Sequence, residues 1–319
     1  MGAPKACLSA ACFMVGGMTA ESLAEHTASQ APTAMGSLSP SRAADFMACP
    51  LLYRFRVVDR LPEPPSRDAA RGTIVHAVLE RLFDLAPAER TADGAAAMVV
   101  AEWERLVNLE PDLAQLFADD ADGSALGEWL QSARRLLGQY FELEDPRVLQ
   151  PRQREMYVET ELDSGLRLRG YIDRLDVSVD GDLRVVDYKT GRAPGQFVEY
   201  KALFQMRFYA LVLWRLFGRV PRMLQLLYLG SGEILRYEPD EAGLRATERK
   251  LAALWRAIQR AAESGDWRAS PSRMCDWCHH RQLCPAWGGT PPPLPIVDPP
   301  VASDVEQERV SPHSPIDEV

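Results

Sequence analysis

Residues 166–178 and 182–189 alternate apolar and polar side chains around Val179-Asp180-Gly181, a pattern that favours a β-hairpin over other local folds. Side chains alternate across a strand, so Asp187 and Lys189 project on the same face. A two-residue loop at Asp180-Gly181 would pair Asp173 with Tyr188 and send the two aspartates to opposite faces. A three-residue loop with Gly181 left-handed pairs Ser178 with Asp182 and sets Asp173 directly opposite Asp187. We expect the three-residue loop, because only that register builds a metal site. The competing reading is a surface hairpin with solvated acids and a salt-bridged lysine.

Two facing carboxylates beside a lysine suit one kind of chemistry. Carboxylate oxygens hold a hard cation such as Mg²⁺, which keeps waters to deliver. An ammonium nearby can meet the attacking water or the transition-state charge. Phosphodiester hydrolysis needs these parts.

Of six cysteines, Cys275, Cys278 and Cys284 form C-x₂-C-x₅-C, and Cys49-Pro50 lies far upstream. Four thiolates brought together would hold an iron–sulfur cluster or a zinc ion, and His279 and His280 make a mixed zinc site conceivable. Such a clasp would close a loop of more than 220 residues. Cys7 and Cys12 fall in an expected leader, residues 1–36, read as disordered or mis-annotated. No convincing secretion signal argues for a disulfide-forming compartment, so the chain reads as cytoplasmic. No apolar run approaches the roughly 20 residues that cross a bilayer.

The net charge of −9 disfavours a nucleic-acid partner at first sight, but residues 288–319 hold six acids against one arginine. That Pro-rich acidic tail is expected to be disordered. Basic residues gather at Arg42, Arg54, Arg56, Arg60, Arg67 and Arg71, then at Arg256, Arg260, Arg268, Arg273 and Arg281. A local basic groove binds phosphates whatever the total charge. Tyr53, Phe55, Trp267 and Trp277 lie near these segments and are candidates to stack on bases. The order of elements is helical over 43–53, 70–83 and 95–142, strands over 155–189, a helix over 197–217, strands over 223–229 and 233–237, and a helix over 240–264. This is an α/β core, a mixed central sheet flanked by helices, with a helical insertion at 84–150.

With these residues assembled, the chain resembles the RecB-family exonucleases of the PD-(D/E)XK nuclease superfamily, in particular stand-alone iron–sulfur-containing members similar to the AddAB nuclease and to CRISPR-adaptation nucleases. The likeness is carried by Leu38-Ser39-Pro40-Ser41, Cys49-Pro50-Leu51-Leu52-Tyr53, the G-x-x-x-H element at Gly72 to His76, Gly170-Tyr171-Ile172-Asp173-Arg174-Leu175-Asp176, Asp187-Tyr188-Lys189-Thr190-Gly191, and Gln205 to Tyr209. It implies a restriction-endonuclease-like domain over 37–287. Asp173, Asp187, His76 and the Tyr188 carbonyl would ligate Mg²⁺ or Mn²⁺, and Lys189 would orient water or stabilise charge. Gln205 and Tyr209, one helical turn apart, would touch substrate or brace Lys189. Cys49, Cys275, Cys278 and Cys284 would hold a [4Fe–4S] cluster, with zinc as the alternative. Glu159 is a candidate outer acid, and Asp176 a structural partner of an arginine. The implied activity is exonucleolytic cleavage of single-stranded DNA or opened duplex ends in repair or recombination. G-x-x-x-x-G-K-[ST] is absent from the sequence, so unwinding would come from a helicase in trans. The rival is a non-catalytic module of the same fold that binds DNA ends or a partner protein.

Overall fold

The computed structural model describes residues 36–193 and 199–295. The expected leader through residue 35, the start of the 197–217 helix and the tail beyond residue 295 lie outside the described residues.

Strand β1 (Ser37–Leu38) leads into helix α1 (Pro40–Ala48), which begins where the Ser39 hydroxyl accepts the Arg42 N–H. The single helix expected over 43–53 is in fact two. Pro50 disfavours a helical residue before it, and Cys49 is extended at φ −162° and ψ 111°. Helix α2 (Pro50–Tyr53) follows and widens into a π-helical turn at Arg54–Val58. The break therefore falls on the cysteine.

Helices α3 (Arg67–Leu82), α4 (Ala92–Leu109) and α5 (Ser124–Leu143) come next, then β2 (Gln153–Glu161), β3 (Arg167–Val177) and β4 (Leu183–Lys189). Helix α6 (Glu199–Phe217), β5 (Met223–Tyr228), β6 (Glu233–Tyr237) and α7 (Glu241–Ser264) complete the body. The sheet runs β1-β3-β4-β5-β6, with β2 also paired to β3. It is mixed: β4 and β5 are parallel, while the β2–β3, β3–β4 and β5–β6 pairs are antiparallel.

Helices cover both faces, so β5 reads as a nearly continuous apolar run and β4 carries the adjacent buried pair Val185-Val186. Val185 and Leu226 face one core with Phe204, Phe208, Leu251 and Ile258 from α6 and α7. Their neighbours Val186 and Leu227 face a second core with Ile74, Val78, Val99, Trp103 and Leu137 from α3, α4 and α5. Each such side chain contributes about 1.5–3 kcal/mol when fully buried. The expected α/β architecture, a mixed central sheet between helices, is the one observed.

The hairpin takes the three-residue loop. The Ser178 N–H donates to the Asp182 carbonyl, and Gly181 sits at φ +81°. The pairs Arg174–Val186, Leu175–Val185 and Val177–Leu183 fix a register that, continued, sets Asp173 opposite Asp187. Behind it, Arg174 is completely buried among the Glu144 carboxylate, Asp176, Tyr140 and Tyr188. Asp176 also pairs with Arg184, which agrees with the structural role expected for it. Removing one partner from so buried a pair costs about 3–5 kcal/mol, because a charge is left uncompensated.

Candidate metal and hydrolytic site

Strand β3 has three partners and two edges. Strand β2 takes one edge along its length, so β4 and β1 share the other, β4 at Arg174–Val177 and β1 at Arg167–Leu168. The stretch between them is a notch in the sheet, and Asp173 stands at its start. Here the Asp173 Oδ2 accepts the Tyr188 N–H at 2.7 Å, so a side chain ends the β3–β4 ladder.

Both β2 and β3 change sides at this point. Met156 and Ile172 face the α6–α7 core, whereas Arg154 reaches Glu80 and Asp84 on the α3 side and Arg174 joins Tyr140 and Tyr188 there. Between them lies the Glu155–Asp173 pair, which the otherwise constant register skips. Glu155 adopts φ +43°, one of two left-handed non-glycine residues among those described. Such a conformation costs on the order of 1–3 kcal/mol and persists only when surroundings impose it. The change of sides places both acids within reach of helices on either face.

From the α3 side comes His76. Its Nδ1 lies 3.4 Å from Asp173 Oδ2 and 3.8 Å from Glu155 Oε1, and its Nε2 donates to the Tyr188 carbonyl at 3.0 Å. Burial pulls the imidazole pKa down. Hydrogen bonds to Asp173 and Glu155, with the charges of Asp173 and Asp187, overcome that and push it up to about 10.

From the α6 side comes Gln205, which donates to Asp187 Oδ1 at 2.9 Å and accepts from Lys189 Nζ at 3.0 Å. Asp187 is 2% exposed. Its Oδ2 lies 2.6 Å from Lys189 Nζ. Burial pushes its pKa up to about 6, against the lowering charge of Lys189. Burial likewise opposes the Lys189 charge, yet Asp187 and Asp173 hold its pKa above the usual lysine value. Tyr209, one turn beyond Gln205, packs its ring on Gly170, where a Cβ would come 2.8 Å from Tyr209 Cε1. The Gly170 and Tyr209 motif positions are thus one contact.

The residue types and their needs fit a divalent cation. Atoms of His76, Glu155 and Asp173 lie mutually within 4.8 Å. The acids around His76 push its pKa up, so the site favours positive charge, and Asp187 adds a buried carboxylate whose Oδ2 pairs with Lys189 at 2.6 Å. Glu155 is the residue the sequence reading missed. The proposed outer acid, Glu159, is instead engaged by the Tyr157 hydroxyl and by Arg167 at 3.9 Å. A signal for Glu155 was present. Asp163-Ser164-Gly165 forms a second three-residue loop, with Gly165 at φ +75° and Leu162 bonded to Leu166. Applied there, the turn rule used for the first hairpin puts Glu155 opposite Asp173.

The cysteines converge elsewhere. Cys49, Cys275, Cys278 and Cys284 line one cavity with Leu51 and Phe55, and none is disulfide-bonded. The Ser270 N–H points at Cys49 Sγ at 3.4 Å and the Ser272 N–H at Cys275 Sγ at 3.3 Å. Among the described residues no three of these sulfurs lie mutually within 4.8 Å. Neither histidine of the motif lines the cavity. His280 turns away to Glu63 Oε1 at 2.9 Å and packs on Phe55.

The basic and aromatic candidates fare differently from expectation. Arg54, Arg56, Arg71, Arg268 and Arg281 all sit in ion pairs with nearby acids. Tyr53, Phe55 and Trp267 are core residues, and only Trp277 of the four aromatics is exposed. No helix among the described residues is long and apolar enough to cross a membrane.

A mixed sheet forked at paired carboxylates, with a lysine two residues beyond, defines a nuclease fold. The model of the PD-(D/E)XK nuclease superfamily matches residues 37–285, and the chain belongs to that superfamily. The gene 69 protein of Mycobacterium phage D29 is 50% identical over 64 residues, 20% of this chain and 21% of that protein. Its counterpart in Mycobacterium phage L5 is 29% identical over 136 residues, 42% of this chain and 44% of that protein. The matched stretch therefore spans less than half the length of either curated relative. A solved Eubacterium rectale structure, provisionally assigned as an exonuclease, aligns with TM-score 0.53 at 14% identity, covering 84% of this chain and 94% of that one. At that identity the likeness is one of fold.

Proposed function

We propose that this protein is a metal-dependent DNA exonuclease of the RecB type that cleaves single strands or opened duplex ends in cytoplasmic DNA repair or recombination. The observation that carries the reading is Asp173 and Asp187 at the fork of β3 and β4, Asp173 bonded to the Tyr188 N–H and Lys189 against Asp187 at 2.6 Å. Asp173, Asp187, His76, Glu155 and the Tyr188 carbonyl would hold Mg²⁺ or Mn²⁺. The bound cation would supply Lewis-acid polarisation of the phosphate and a more acidic water. Lys189 offers its ammonium to the water or to the phosphate oxygens where charge develops, and its neighbouring acids keep it protonated. Gln205 holds the Asp187 carboxylate and the Lys189 ammonium in fixed relation. Tyr209 packs against Gly170 and so fixes the strand that carries Asp173.

The four cysteines would hold a [4Fe–4S] cluster in a structural role. A single tetrahedral zinc ion would draw its sulfurs to roughly 3.8 Å apart, from Zn–S bonds of about 2.3 Å. A helicase or other repair protein acting in trans would open duplex DNA for a chain whose sequence lacks G-x-x-x-x-G-K-[ST].

The test is digestion of 5′- and 3′-labelled oligonucleotides with Mg²⁺ or Mn²⁺, beside Asp187→Ala. Cleavage by the wild type alone is expected. Equal rates in the two proteins would overturn the reading.

A further inference from the structure

One exposed feature lies directly beside the notch. Tyr157 and Tyr171 are cross-strand partners on β2 and β3, their rings 5.3 Å apart and tilted by 58°. They are 48% and 56% exposed. Tyrosines usually bury much of their ring, so two paired on an open surface are informative. Tyr171 stands two residues before Asp173, and Tyr157 two residues after Glu155. The next pair along is Glu159 with Arg169, then Glu161 with Arg167. The β3 side of this track thus runs from carboxylate to aromatic to two guanidiniums. Arg42 adds positive charge close to Arg169.

We propose that the Tyr157–Tyr171 pair is a stacking platform for the bases of single-stranded DNA threading into the notch, with Arg169 taking a phosphate beyond it. This rests on the nuclease reading and extends it to the form of the substrate. Stacking is indifferent to sequence because every base has a π-face, as an exonuclease requires. Stacking favours a single strand, because a base paired inside a duplex has both faces covered by its neighbours. The Tyr157 hydroxyl bonds Glu159, which fixes the ring and leaves its face open.

The experiment is fluorescence anisotropy of a labelled oligothymidylate in EDTA, where no cleavage occurs, for wild type, Tyr171→Ala, Tyr157→Ala and Tyr171→Phe. Each alanine variant is expected to bind roughly fivefold to a hundredfold more weakly, while Tyr171→Phe keeps wild-type affinity. An abasic oligonucleotide of the same length should bind all four proteins alike. Unchanged affinity in both alanine variants would overturn the platform. So would an equal loss on the abasic strand, which would mean a structural defect. These outcomes are separable from failure of the nuclease reading: base-dependent binding without any Mg²⁺-dependent cleavage would sink the enzyme and leave the platform standing.

Discussion

The Asp173 carboxylate accepts the Tyr188 N–H at 2.7 Å, so an acidic side chain replaces the next rung of the β3–β4 ladder. One residue thereby ends a strand pair and opens the notch in which the polar groups meet. The same carboxylate lies 3.4 Å from the His76 ring. Structure and chemistry share this position, which sets what each substitution should do.

Asp187→Ala and Lys189→Ala should each lower cleavage by at least about a hundredfold, the scale for removing one electrostatic stabiliser. Neither should unfold the sheet, because Val185, Val186 and Tyr188 keep β4 anchored in both cores. Asp173→Ala should differ, losing cleavage and also loosening the hairpin. Digestion assays beside thermal melts distinguish the two patterns.

Metal-free protein should lose stability as pH rises. The Asp187 carboxyl is pushed up from 3.8 to about 6 by burial, with Lys189 opposing. Between those values the folded chain retains a proton that the unfolded chain has released, so stability falls across that window and stays lower above it. The loss is at most about 3 kcal/mol. Urea denaturation in EDTA should show a smaller fall for Asp187→Asn. Equal falls in both proteins would contradict the assignment.

Glu155→Gln should weaken Mn²⁺ binding while preserving the fold, since the amide keeps the side-chain shape at this φ +43° position and removes only the charge. His76→Ala should weaken binding as well. Calorimetric titration of Mn²⁺ into each variant measures this, and wild-type affinity in Glu155→Gln would remove that acid from the site.

Gly170→Ala should cost about 1–3 kcal/mol, the range for overpacking a filled core. Its new Cβ would meet Tyr209 Cε1 at 2.8 Å. The double variant Gly170→Ala with Tyr209→Phe should recover little, because the ring rather than the hydroxyl is struck first. Denaturation midpoints of the single and double variants report this.

Cys278→Ala should lower iron content and stability together. Joining Cys49 to the C-terminal motif restrains a loop of more than 220 residues, worth a few kcal/mol in the chain-entropy picture. Visible absorption with elemental analysis reads the metal. Zinc in place of iron would overturn the cluster assignment without touching the hydrolytic site.

Alternation and turn chemistry in the sequence narrowed the hairpin to two registers, and the need for a metal site chose between them. Gly181 admits the left-handed turn, and a period of two then sets Asp173 opposite Asp187. The same local rule, applied to Gly165, would have brought in Glu155. The break at Cys49 was equally local, a consequence of Pro50. Tertiary structure alone decided the rest. Whether Tyr53 or Tyr171 is available to a ligand depends on which elements cover it, and both look alike as letters. Arg54, Arg56 and Arg281 were plausible phosphate contacts until Asp59, Asp45 and Asp276 folded against them. The approach of His76 from one face and Gln205 from the other requires both strands to change sides at Glu155 and Asp173. Hydrophobic period and turn type are set by neighbours in sequence, whereas burial and ion pairing are set by neighbours in space.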